Sequence, residues 1–199
     1  MSAADLTNVL TTVYTLTNRP DLVNESTLAV QQSTLLLHRR ENWAYDLTEI
    51  GWQFPLSSYQ QQIALADIPN FRKIKYLRKY DSVNLAPGDY LTEVSVEQSF
   101  NKRWMQDNVD CYYFAGAVYN INMSTSEQYL LMGYYADPDV TTTNYTSWIG
   151  VKHPGLVAAR ACTMLAALME KEAFKQSMGM LYQEELTAFD GIYMDMTNK

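Results

Sequence analysis

The chain has 199 residues, 47% of them hydrophobic, and a formal charge of −7 at pH 7. This length and composition support one well-cored domain, or a domain carrying a sizeable insertion, and exclude global disorder. The acidic balance argues against a general nucleic-acid binder, and no apolar run approaches the ~20 residues of a membrane-spanning helix.

The first helix is predicted from Leu6, Val9, Leu10, Val13 and Leu16, which fall at helical spacing after Asp5, a suitable N-cap. Asn18-Arg19-Pro20-Asp21 breaks it. A second helix follows, from Leu22 or Glu25 to Arg40, with Leu28, Leu35, Leu36 and Leu37 as its apolar face. Such a helical hairpin needs a partner to cover its stripe.

Between Trp43 and Trp148 the period changes to that of strands. Ala117 to Met123 alternates, and Gln128 to Tyr135 follows after a polar turn, so the two read as a β-hairpin. Ile74 to Tyr80 and Tyr90 to Val96 read as a second pair, joined through the Pro87-Gly88 turn signal.

Pro154 then suits the first position of a helix. Val157, Ala161, Met164, Leu165 and Leu168 form a strong amphipathic pattern. After a bend near Lys171, Phe174, Met178, Leu181 and Leu186 continue helical spacing. The expected fold class is therefore α+β. A helical bundle, made from the N-terminal hairpin (1–42) and the C-terminal helices (149–199), carries an inserted antiparallel β-domain (43–148).

Little in the chain points to catalysis. The opening Met1-Ser2-Ala3-Ala4-Asp5 lacks the basic and apolar regions of a signal peptide, so synthesis in a cytoplasm is expected. Cys111 and Cys162 follow no metal-like spacing and read as reduced, buried small hydrophobes. His38 falls at the end of the second helix, where a cation suits the dipole, and His153 precedes Pro154. Asp137-Pro138-Asp139 has the look of a metal-binding DxD but is ordinary turn chemistry after a strand. Glu184 and Glu185 diverge on a helix and cannot readily pair. No phosphate-cradling loop or nucleophile elbow occurs. No enzyme activity, cofactor, metal or catalytic residue is expected.

Two stretches suit partners instead. Arg72, Lys73, Lys75, Arg78 and Lys79 are interleaved with Phe71, Tyr76 and Tyr80. Such a run can bind nucleic acid, guard an edge strand or dock on an acidic neighbour, and the net charge favours the last two. Phe189, Ile192, Tyr193 and Met196 lie among polar residues at the end of the chain. They either order on docking or continue the last helix onto their own domain. The 15 Tyr and 4 Trp suit extensive protein contacts or a β-rich core.

Four blocks together resemble a family. They are Leu16-Thr17-Asn18-Arg19-Pro20-Asp21-Leu22, Phe71 to Tyr80, Gly133 to Val140 before Ser147-Trp148-Ile149, and His153-Pro154. In this order and at these distances they are similar to bacteriophage head-to-tail adaptor (connector) proteins, the group of tail-tube A and portal-adaptor ring proteins of short-tailed phages. The resemblance implies a homo-oligomeric ring of about twelve subunits, closed by a repeated heterologous contact. It implies a virion location in the tail or neck, after synthesis in the bacterial host cytoplasm. The partners would be the portal protein, the tail nozzle and tail fibres. Genome DNA would pass through the lumen during ejection without specific binding, and no membrane would be involved. Such a ring would carry on the order of 80 negative charges, which would keep DNA from adhering. The competing readings are another tail ring component, such as a terminator or nozzle protein, and a virion-associated cell-wall-degrading enzyme.

Overall fold

Asn18 ends the first helix. It takes a left-handed conformation (φ 51°) directly after α1 (Ala3–Thr17), and its N–H donates to the Tyr14 carbonyl at 2.9 Å. In this computed structural model, residues 3–54, 60–81, 86–99, 110–123 and 129–194 are described. Asp5 lies inside α1 rather than capping it, because the helix already includes Ala3. Leu6, Val9 and Val13 are buried as their spacing requires.

The second helix, α2 (Val23–Arg39), has the expected extent, but of its expected apolar face only Leu37 is buried. The buried side consists of Ser26, Ala29, Val30, Ser33, Thr34, Leu37 and His38. Leu28 is 54% and Leu36 47% exposed, and Leu35 is only half-buried. The cause is local satisfaction of polar groups. Thr34 Oγ1 donates to the Val30 carbonyl at 2.8 Å and meets the buried Tyr145 hydroxyl at 2.7 Å, while Ser33 Oγ reaches Met164 Sδ at 3.4 Å. Small side chains also let α2 lie close to its neighbour.

That neighbour is α5 (Pro154–Leu168), which begins with Pro154 as expected and packs against α1, α2 and the last helix, α6 (Glu172–Tyr193). Eight of its residues are buried, four of them alanines. It is preceded by a single turn, α4 (Trp148–Lys152), capped by Ser147. Between α5 and α6, Glu170 turns left-handed (φ 54°) and closes the bend near Lys171. These helices and residues 1–46 and 137–199 make one compact unit, with a core that includes Val9, Val30, Trp43, Tyr145, Ile149, Leu156, Leu165 and Phe189.

Residues 47–136 form the second unit. One sheet has the order β1-β8-β3-β4, from β1 (Leu47–Gln53), β8 (Tyr129–Ala136), β3 (Phe71–Asp81) and β4 (Ala86–Tyr90). The other has the order β2-β7-β6-β5, from β2 (Gln60–Ala64), β7 (Val118–Asn122), β6 (Cys111–Ala115) and β5 (Thr92–Glu93). All neighbours are antiparallel except β5 and β6. A short helix, α3 (Val96–Ser99), follows β5. Ile63, Tyr112, Tyr119 and Ile121 of the second sheet share a core with Leu77, Leu130, Met132 and Tyr134 of the first. The α+β class is thus as the sequence predicts.

Several details differ from the sequence reading. The stretches 117–123 and 128–135 are not a hairpin: β7 and β8 lie in different sheets, and β7 instead pairs with β6 through a two-residue turn. The strand that pairs with β3 here is Ala86–Tyr90, with Pro87 and Gly88 inside that edge strand rather than between two strands. Beyond Tyr90 the chain crosses to the other sheet, where the Thr92 N–H donates to the Asp110 carbonyl at 3.0 Å. The boundaries expected at 42/43 and 148/149 fall at 46/47 and 136/137. Trp43, Tyr145 and Ser147 are buried in the helical unit, which draws their segments into it.

Candidate functional site

His38 is the first residue to reward close inspection. The sequence puts it at the end of the second helix, where a cation suits the dipole, and in the fold it is 1% exposed. Its Nδ1 lies 2.8 Å from Asp46 Oδ1 and its Nε2 lies 2.9 Å from Ser147 Oγ. The ring thus bridges the carboxylate and the Ser147 hydroxyl through its two nitrogens. These atoms stand in the order of a serine–histidine–aspartate charge relay.

Burial decides what the arrangement can do. Ser147 is 0% exposed, so no substrate carbonyl can reach its oxygen in this conformation. That oxygen already accepts the Gly150 N–H at 2.9 Å as the N-cap of α4. Asp46 Oδ1 also accepts Trp148 Nε1–H at 2.8 Å. The trio therefore satisfies buried polar groups and ties the end of α2, the segment before β1 and the start of α4 together.

Around Trp148 lies an aromatic cluster. Its ring stacks on Phe189 (centroids 5.9 Å apart) and packs against Tyr193 (5.2 Å) and Tyr45 (4.9 Å). Lys152 Nζ sits 4.4 Å from the Tyr45 ring centroid. His153 Nε2 meets the Tyr193 hydroxyl at 3.1 Å, and burial pushes the His153 imidazole below its ordinary pKa. Of the expected terminal interface residues, Phe189 (2% exposed) and Tyr193 (8%) are thus core residues of the chain's own helical unit. The last helix continues through them, which is the second of the two alternatives left open. Ile192 is exposed, at 54%. Met196 lies outside the described residues.

The basic run occupies β3, and its cations are spent unequally. Arg78 pairs with Glu49 (3.1 Å) and leans over the Tyr76 ring, while Lys79 pairs with Asp110 (2.8 Å). The Tyr76 hydroxyl also donates to Glu49; burial, with this bond second, pushes the phenol up to about 12. Arg72 and Lys75 lie 5.7 and 6.0 Å from the Tyr135 ring centroid. Lys73 and Lys75 are exposed. Most of the run is therefore engaged within its own unit, and at Arg78 β3 is interior to its sheet, paired with both β8 and β4. From Phe71 to Tyr76 its described strand partner is β8 alone, with two register shifts, so this half has the features of a guarded edge.

Asp137, Asp139 and the two thiols are held within the fold. Asp139 accepts from the Thr141 N–H (3.0 Å) and from Asn144 Nδ2 (2.7 Å), which holds its carboxyl below the usual range and closes the turn after the Asp-Pro-Asp segment, where Val140 bridges to Tyr145. Asp137 receives Arg39 Nε–H at 3.0 Å. Among the described residues no group of His, Cys, Asp and Glu is placed to hold a metal. Burial pushes the Cys162 thiol up to about 12, and it also raises that of Cys111.

What the sequence reading did not identify is the exposed apolar surface of the helical unit. Leu168 is 72% and Met180 70% exposed, and on α2 Leu28 and Leu36 are exposed as well. A shallow cavity of about 380 Å³ is lined by Leu22, Leu165, Leu168 and Met169, with Arg19, Glu25 and Lys171 also on its wall. The excess of leucines in Leu28 to Leu37 was the available signal, because a helix buried on one face needs fewer. Among the described residues no helix is long and apolar enough to cross a membrane. Comparison with protein-family models and with curated proteins returned no match.

Proposed function

We propose that this protein is a structural component of a bacteriophage virion, a head-to-tail adaptor whose subunits form a ring between portal and tail nozzle around the DNA channel. It works by geometry, without catalysis or cofactor. The observation that carries the reading is the unfinished packing of the helical unit. Helix α6 has 22 residues, of which only Phe189 and Tyr193 are buried. Leu28, Leu36, Leu168 and Met180 project outward from helices whose opposite faces already fill the core. Single exposed apolar side chains are ordinary; several on neighbouring helices suit burial against another subunit.

Two further features support it. The order of the four sequence blocks resembles that of the adaptor family, and the charge of −7 suits a channel that DNA must leave freely. The pairing of Arg78 and Lys79 within the chain favours a protein-facing or guarding role for β3 over a nucleic-acid site.

Sedimentation of the purified protein tests the assembly step. The wild type is expected to sediment as a large closed oligomer. A variant carrying Leu28→Lys, Leu36→Lys and Met180→Lys should remain a folded particle of 22.8 kDa. Identical sedimentation of both proteins as monomers contradicts the proposal.

A further inference from the structure

Three consecutive residues at the end of α2 each hold a carboxylate from a different part of the helical unit. His38 holds Asp46, the last residue before β1. Arg39 holds Asp137, the first residue after β8. Arg40 holds Asp190 of α6 in a two-pronged contact, with Nη2 2.7 Å from Oδ2. A second route joins the same places: Phe189 and Tyr193 of α6 pack on the Trp148 ring, whose Nε1–H donates to Asp46.

We propose that the end of α2 is a conformational relay, through which a displacement of the last turns of α6 reaches both segments, 41–46 and 137–147, that connect the helical unit to the β unit. Its physical basis is shared anchoring. Arg40 is the C-cap residue of α2, so losing its fixed carboxylate loosens the turn in which His38 and Arg39 sit. Asp46 Oδ1 takes two donors at 6% exposure, and shifting either one leaves a buried polar group unsatisfied. His38 also holds the Ser147 hydroxyl that caps α4, so the disturbance extends to the start of that helix. Ile192 is exposed on the turn of α6 that carries Asp190, where a bound protein could apply such a displacement.

Hydrogen exchange on the full chain reads the relay directly. In Asp190→Asn, exchange should quicken about five-fold or more in 186–194 and also in 41–46 and 137–147, with α1 unchanged. Asp21→Asn, which removes the exposed Arg19–Asp21 pair, should alter none of these segments. The swap of Arg40→Asp with Asp190→Arg should restore slow exchange in both connecting segments. If Asp190→Asn does not fold, Arg40→Lys, which keeps the charge and loses the fork, is read on the same peptides. Faster exchange confined to α6, in whichever variant is read, overturns the proposal.

Discussion

The Ser147 hydroxyl has two duties: it accepts the Gly150 N–H and shares a hydrogen bond with His38 Nε2, each at 2.9 Å, with none of its surface in water. Removing it uncaps α4 and leaves the imidazole nitrogen unsatisfied. Ser147→Ala should therefore cost about 1–3 kcal/mol, read as a lower urea midpoint. A change within ±0.5 kcal/mol would show that the Ser147 hydroxyl contributes nothing to folding.

His153 supplies the pH dependence at this scale. Burial lowers its pKa in the folded state, with Glu185 opposing and Lys152 assisting. The unfolded chain then binds the proton more tightly, so stability is highest above about pH 6.5. It falls as the pH drops toward the lower folded-state value and levels off below that. His153→Gln should flatten this part of the stability curve; an unchanged slope would assign it to other groups. None of this was legible from position alone. The partners of His38 lie 8 and 109 residues away, and those of His153 are set by the approach of α6.

At the scale of elements, what could be read depended on how local its cause was. The break at Asn18, the start of α5 at Pro154 and the bend near Lys171 follow from backbone chemistry within a few residues, and all three are present. The buried face of α2 was misread because hydrophobicity ranks leucine above serine and threonine. Here Ser33 and Thr34 face the core with their hydroxyls engaged, and Leu28 faces out. The supposed hairpin of β7 with β8 failed for a topological reason, since closeness along the chain does not say which sheet a strand joins. The true hairpin, β6–β7, turns through Gly116 (φ 61°) and Ala117 (φ 63°), the paired left-handed residues of a type I′ turn. Ala117 was read as the first residue of a strand because alanine carries no turn signal. Ala117→Gly should raise stability by about 1 kcal/mol, by relieving the left-handed strain. A lower melting temperature in that variant would contradict the turn assignment.

For the whole molecule, the α+β composition and the insertion of a β unit between two helical parts were visible as a change of period along the chain. The boundaries moved because Trp43, Tyr145 and Ser147 serve the helical core, which a pattern of alternation does not register. The candidate partner surface was legible only in part. The basic run proved to be largely engaged within β3 and its neighbours, and Phe189 and Tyr193 proved to be core. The exposed residues of α2, α5 and α6 became apparent only once their buried faces were known.

The central claim is a ring that joins head to tail, and the most direct test is electron microscopy of the purified protein, alone and mixed with the portal protein encoded in the same genome. The account predicts rings of the protein itself or an added layer of density on the portal. A monomer that leaves the portal bare would contradict it.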